Sequence, residues 1–204
     1  VGVAYSNAQK PDQAERFFKR ALAVKERAQE KKSPEGANLL SYLGSLYSEQ
    51  RKFPQAEKFY KEALAICEQV LGMKHEQTEK QLKEIAHFYQ SYNRHSKAEP
   101  YIKKLVNIKT KMLGDKHPET FSVKILMGYC LSKQEKPGEA ADLLKEVVGQ
   151  AKETLGGDDP VLGEALHFLA EALKLNGKAD EAEQYYKEAI DVRTKALGPQ
   201  HIDL

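Results

Sequence analysis

Apolar residues recur along this chain at helical spacing, and no stretch alternates with the period of two that a half-buried strand needs. Leu39, Leu40, Leu43, Leu46 and Tyr47 form one stripe; Ala56, Phe59, Tyr60, Ala63, Leu64 and Ile66 form the next. Prolines mark the starts. Pro34, Pro118 and Pro160 open one set of helices, and Pro11, Pro54 and Pro137 open the other. Proline suits the first helical turn, where its fixed φ is already helical and its missing N–H is not needed. Asp159, ahead of Pro160, is a candidate N-cap. Gly72, Gly114, Gly156 and Gly198 follow the last apolar turns, where a left-handed C-cap costs glycine least. The pattern predicts a helix at 11–28 and antiparallel pairs at 34–51 with 53–71, 75–92 with 95–113, 117–133 with 137–155, and 159–176 with 178–197.

These pairs are copies of one another. Ala14-Glu15, Ala56-Glu57, Ala98-Glu99 and Ala182-Glu183 are separated by multiples of 42 residues, and Ala140-Ala141 fills the remaining slot. At the same period a small residue recurs upstream (Gly2, Gly44, Ala86, Gly128, Ala170), followed three residues later by Tyr5, Tyr47, Tyr89, Leu131 and Leu173. Four residues after the recurring alanine comes a bulky apolar residue: Phe18, Tyr60, Ile102, Leu144 and Tyr186. Four units close on Leu-Gly: Leu71-Gly72, Leu113-Gly114, Leu155-Gly156 and Leu197-Gly198. Internal periods of this length signal a solenoid, in which each unit buries its apolar face on its neighbours. The expected fold is therefore all-α, an α-solenoid of antiparallel helix pairs. It would form one elongated domain over 1–204 with about five units of 42 residues, the first truncated.

The recurring small residues let two helices of a pair approach at their crossing. Glycine inside a helix costs about 1 kcal/mol relative to alanine, so Gly44 and Gly128 imply a packing reason. Gly44 is expected to face Ala56, with the neighbouring aromatic filling the space beside the crossing.

Small residue, Tyr, Ala, aromatic, Ala at these offsets resembles the tetratricopeptide repeat. The 42-residue unit and the connector Leu113-Gly114-Asp115-Lys116-His117-Pro118 are similar to those of the kinesin light chain superfamily. Leu155-Gly156-Gly157-Asp158-Asp159-Pro160 and Leu197-Gly198-Pro199-Gln200-His201 are variants of that connector. The resemblance covers essentially the whole chain. It implies a right-handed superhelix with first helices on the concave wall and second helices on the convex one. The Asn-Asn pair common in kinesin light chain is replaced here by Ser41-Tyr42, Lys83-Glu84, Ile125-Leu126 and His167-Phe168. The chain is thus read as a relative of that superfamily and not as kinesin light chain itself.

Composition points away from catalysis and nucleic acid. There are 32 basic and 30 acidic residues, a net charge of +2, with no clustered basic surface of the kind that nucleic acid requires. Cys67 and Cys130 suggest a reducing compartment and structural thiols, so the localisation expected is cytoplasmic. No transmembrane run appears. His75, His117 and His201 recur in the connectors, on different units, and read as helix caps or turn packing. His87 and His167 lack a metal-ligand partner at ligand spacing. No phosphate loop and no nucleophile elbow is present. The reading is no enzyme, no cofactor and no metal. Val1 enters its repeat late and His201-Ile202-Asp203-Leu204 begins another connector, so the chain reads as a piece of a longer protein.

What remains is surface. The family's concave wall, carried onto this chain, gives Asn38, Ser41 and Ser45 in the second unit and Lys80, Lys83 and His87 in the third. It gives Ile125 and Tyr129 in the fourth unit and His167 in the fifth, with Glu164 beside it. The expected function is a scaffold or adaptor that binds a protein or peptide in this groove. Lysines beside an aromatic–aliphatic pair suit a segment carrying an acidic residue next to a bulky hydrophobe. The alternatives are an assembly subunit docking by its convex face or ends, and the non-catalytic regulatory region of an enzyme.

Overall fold

The computed structural model describes residues 11–28 and 32–197. Among these residues there are nine helices and no strand. They are α1 (Pro11–Arg27), α2 (Pro34–Glu49), α3 (Phe53–Val70), α4 (Glu76–Ser91), α5 (His95–Leu113), α6 (Pro118–Ser132), α7 (Pro137–Thr154), α8 (Pro160–Leu175) and α9 (Ala179–Leu197). Each agrees with its expected span to within two residues at either end. The expectations that fall on Gly2, Tyr5, Gly198 and His201 lie outside the described residues.

The chain divides into two compact units, Val1–Tyr92 and Asn93–Leu204. In the first, α2 packs against α1, α3 and α4. Its core gathers Ala37, Leu40, Ala63, Ile66 and Cys67, with Leu22, Phe59 and Leu71 against them. In the second, each helix from α5 to α9 packs on the next, and α6 also packs on α8. The repeat columns are the core. Ala14, Ala56, Ala98, Ala140 and Ala182 are all buried, as are Phe18, Tyr60, Ile102 and Leu144.

The crossings correct one expectation. A Cβ at Gly44 would lie 3.1 Å from the Tyr60 ring, and one at Gly128 would lie 2.7 Å from Leu144 Cδ1 and Cγ. The small residue therefore makes room first for the bulky side chain sixteen positions later, the same offset in both units, where the recurring alanine was expected to be the facing residue and the aromatic its neighbour.

The helix starts follow the reading. Asp159 caps α8 by accepting from the Val161 N–H at 2.8 Å. His75 and His117 do the same for α4 and α6 through Nδ1, from Gln77 N–H at 3.1 Å and Glu119 N–H at 3.2 Å. The connectors are tied by Thr78 and Thr120, which donate to the carbonyls of Gly72 and Gly114 at 2.7 and 2.8 Å. Gly72 and Gly114 have φ of +82° and +90°. Gly156 does not adopt positive φ, contrary to expectation. Leu162 replaces the tying threonine there, and the Gly156 carbonyl instead accepts from the Asp159 N–H at 3.1 Å.

The turn inside each pair carries a feature that the residue types hide. Arg51, Asn93, Glu135 and Gly177 are 42 apart, and all sit at φ between +55° and +77°. The next N–H reaches back five residues, Lys52 to Tyr47 at 2.8 Å and Lys178 to Leu173 at 2.9 Å, the hydrogen bond that closes a Schellman cap. A side chain in this left-handed region costs roughly 1–2 kcal/mol, partly offset by glycine's larger entropy loss. Glu135→Gly is therefore expected to stabilise by about 0.5–1 kcal/mol, and Gly177→Ala to destabilise by a similar amount. Urea unfolding of both variants checks the pair of signs.

Candidate functional site

The second unit carries a row of rings that runs from α5 over the first helices α6 and α8 to α9. Tyr129 of α6 meets His95 of α5 edge-on at 5.7 Å and Phe168 of α8 at 5.6 Å. Phe168 meets His167 at 5.4 Å, and His167 meets Tyr186 of α9 at 5.8 Å. The rings come from different register positions, Phe168 standing in the column of Leu126 and Tyr129 in that of Glu171, and each ring lies on a neighbour's edge, a favoured arrangement. Lys133 lies 5.3 Å over the Tyr129 ring and ion-pairs with Glu171 at 3.3 Å, which links α6 to α8.

Beside the row is a pocket of about 360 Å³ lined by Ser122, Ile125, Leu126, Tyr129, Glu164 and Phe168. Ile125 is 1% exposed, so it forms the floor and is not the projecting anchor that its place on the wall suggested. Tyr129 and Phe168 are half-buried and form the walls. Glu164 stays solvent-accessible at the edge, yet the surrounding apolar atoms raise its pKa by desolvation, with Arg193 opposing. The pocket thus offers an apolar slot and one poorly solvated carboxylate.

Residue types at the wall positions pointed to Ile125, Tyr129 and His167 but passed over Leu126 and Phe168. The signal was present. Ile125-Leu126 and His167-Phe168 occupy the two columns where the related superfamily carries its Asn-Asn pair, and three of those four side chains line the pocket.

In the first unit the expected residues divide differently. Ser41 is buried, and Asn38 and Ser45 are half-buried. Ser45 hydrogen-bonds the Tyr60 hydroxyl, whose pKa is pushed up to about 12, chiefly by burial. Ser45 thereby ties α2 to α3. Lys80, Lys83 and His87 are exposed on α4 and available to a partner.

His95 and His167 both have pKa lowered from the ordinary 6.5, first by burial and then by Lys133 and Arg193 respectively. His95 Nδ1 is buried without a hydrogen-bond partner. Above pH 6.5 both histidines are neutral, folded or unfolded. Below it the unfolded chain takes up protons that the folded chain resists, so stability falls with pH until the folded values are passed. The urea midpoint is expected to drop between pH 7.5 and 5, and His95→Gln with His167→Gln is expected to flatten that slope.

Among the described residues, no group of three or more His, Cys, Asp or Glu is placed to hold a metal ion. Cys67 and Cys130 are buried free thiols with pKa raised by burial. No described helix is long and apolar enough to cross a membrane.

Comparison with known proteins places this architecture. A tetratricopeptide repeat model matches residues 1–69 and 125–195. No curated protein sequence is significantly similar to the chain. Among solved structures, a Podosopora anserina kinesin light chain-like protein with nearly identical TPR-like repeats aligns with TM-score 0.82 at 20% identity, covering 96% of this chain and 93% of its own. BtubC (BKLC) of P. vanneervenii aligns with TM-score 0.73 at 19% identity, over 98% of this chain and 79% of its own. YrrB, described as a TPR protein with an unusual peptide-binding site, aligns with TM-score 0.60 at 17% identity, over 96% and 86%. At these identities the solved structures speak for the fold, an all-α repeat solenoid, while the repeat model matches more than half the residues: the chain belongs to the tetratricopeptide repeat family.

Proposed function

We propose that this chain is a protein-binding scaffold that holds a short partner segment on its first-helix face. The observation that carries this reading is the pocket of Ile125, Leu126, Tyr129 and Phe168, an apolar slot opening beside a row of rings. A bulky apolar side chain in the slot is the anchor, since burying one is worth about 1.5–3 kcal/mol. Exposed ion pairs add only about 0–1 kcal/mol each, so charge sets selectivity and association rate more than affinity. On the first unit by itself, Lys80, Lys83 and His87 favour an acidic residue of a partner. Glu164 favours an N–H group or a cation beside the anchor, a preference that residue types at the wall positions did not suggest. The family's use in protein recognition, and the peptide-binding site named for YrrB, support the same reading.

The test is affinity capture of a partner, followed by its dissociation constant for variants. Micromolar-class binding that weakens with salt is expected. Tyr129→Ala is expected to weaken it 10- to 100-fold, because one wall of the slot that buries the anchor is lost. The Lys80→Glu, Lys83→Glu double variant should fold normally and lose an acidic partner. A partner that binds both variants as tightly as the parent would remove the first-helix face and leave docking by another face.

A further inference from the structure

On the side of the second helices, α5 and α7 flank a crevice of about 520 Å³ over α6. Lys103 and Val106 of α5, Lys124, Met127 and Leu131 of α6, and Leu143 of α7 line it. The repeat register explains why it is there. The column of Leu143 carries Phe17, Phe59, Tyr101 and Tyr185 in the other units, so this unit alone lacks the ring. The column of Leu131 carries Tyr47 and Tyr89, and a leucine again at Leu173.

The first unit shows what those rings do. Tyr47 and Phe59 stack at 5.4 Å with an interplanar angle of 16°. Lys19 lies 5.8 Å from the Tyr47 ring centroid. Lys103, 84 residues on, is the counterpart of Lys19, and Leu131 and Leu143 are the counterparts of the stacked pair. Two rings have become two leucines, and the space that the rings fill elsewhere is open. A third departure lies in the same crevice. Lys124 occupies the column of Leu40, Leu82 and Leu166, all of them fully buried. Its ammonium is held by Asp115 at 3.1 Å and Glu146 at 3.6 Å, so its aliphatic stem, not its charge, faces the cavity.

We infer that this crevice is a second binding site, on the opposite side of the repeat from the pocket of Ile125 and Tyr129, and that it takes an aromatic side chain, Phe or Tyr, from a partner protein. The occupant is identified by the repeat itself. The wall positions of Leu131 and Leu143 are those at which Tyr47 and Phe59 stack in the first unit, and Lys103 stands where Lys19 faces a ring. A ring there gains apolar contact with Met127, Val106 and Leu143 and a cation–π contact with Lys103. Lys103 is paired with Glu99 at 2.7 Å and Glu139 also stands on the lining, so no net positive charge draws an anionic group in. The site is independent of the proposed first-helix groove and shares no residue with it.

The experiment uses p-cresol and toluene, the side-chain analogues of Tyr and Phe, against the chain labelled with ¹³C at its methionine methyls. Met127 lines the crevice, while Met73 and Met112 are exposed elsewhere and serve as internal controls. Saturable shifts at the Met127 methyl are expected, with none at the other two. Leu143→Tyr, which restores the residue of the Tyr101 and Tyr185 column, should keep the parent's helical content and weaken binding at least tenfold. Phe168→Ala, which opens the other pocket, should leave these shifts unchanged. A displayed peptide library panned on the parent and counter-selected on Leu143→Tyr should enrich sequences sharing a Phe or Tyr. No shift at Met127, equal binding by Leu143→Tyr, or enrichment of peptides without an aromatic would each overturn the inference. Saturation by laurate with no response to p-cresol would overturn it too, and would make the occupant an acyl chain.

Discussion

Gly128→Leu is expected to destabilise the second unit by about 2–3 kcal/mol, the upper part of the range for overpacking a filled core. Even the first added atom finds no room, because an alanine Cβ would lie 2.7 Å from Leu144 Cγ. Leu144 cannot swing away, since it is fully buried in α7 against the same crossing. Relief requires α6 and α7 to separate, which opens the contacts of Ala140 and Val147 as well. A second glycine supplies the control. Gly149, on the same α7, has nothing within 4 Å of its would-be Cβ. Gly149→Ala should therefore stabilise by about 0.5–1 kcal/mol, the helix-propensity difference alone. Urea denaturation of the two variants tests the argument through opposite signs. Similar effects would mean that Gly128 is not at a close crossing.

Lys124→Leu is expected to leave stability unchanged or raise it by about 1 kcal/mol, although it deletes two ion pairs. Replacing a buried ion pair by well-packed apolar residues is often neutral or stabilising, because the lost attraction is offset by the desolvation no longer incurred. The repeat supplies the packing, since leucine fills the same column at Leu40, Leu82 and Leu166. Removing the partners is a different experiment. Asp115→Asn with Glu146→Gln leaves an ammonium 8% exposed without its carboxylates, and should destabilise. The effect should fall short of orphaning a fully buried pair, because both carboxylates are more than half exposed and already screened. Lys124 also holds the Asp115 carboxyl below its usual pKa through their hydrogen bond. That contribution is present above the unfolded carboxyl's pKa and disappears as pH falls through the folded value. Thermal midpoints of both variants at pH 7 and pH 3 test this, with the parent converging on the double variant at low pH.

Charge pairing along the solenoid repeats as the core does. Glu15–Lys19, Glu57–Lys61, Glu99–Lys103 and Glu183–Lys187 are 42-residue copies of one four-apart helical pair, each at 2.6–2.7 Å. Ala141 breaks the series. Lys145, freed from that partner, crosses from α7 to Glu181 of α9 at 3.2 Å. Surface pairs of this kind add little each, so their regularity reflects the copied unit more than a demand for stability.

What the sequence alone determined was whatever depends on local spacing copied at a fixed period. Helix starts at proline, caps at Asp159, His75 and His117, and buried alanines all follow from chain-local physics, and the period brings such signals back in several copies. The turn residues Arg51, Asn93 and Glu135 escaped that reading. Their left-handed backbone is set by the hydrogen bonds of the closing cap, and nothing in an arginine or a glutamate announces it. The partner of Gly44 and Gly128 also needed the tertiary structure, because which side chain fills a crossing depends on the rotation of one helix against another. The same holds for the surface. A register position says which face a residue occupies, not how deep it lies, so Ile125 became a floor and Phe168 a wall. The crevice beside Leu143 is the converse case. Its leucines stand in the sequence as ordinary core residues, and only the packed structure shows that they leave the room of a ring unfilled.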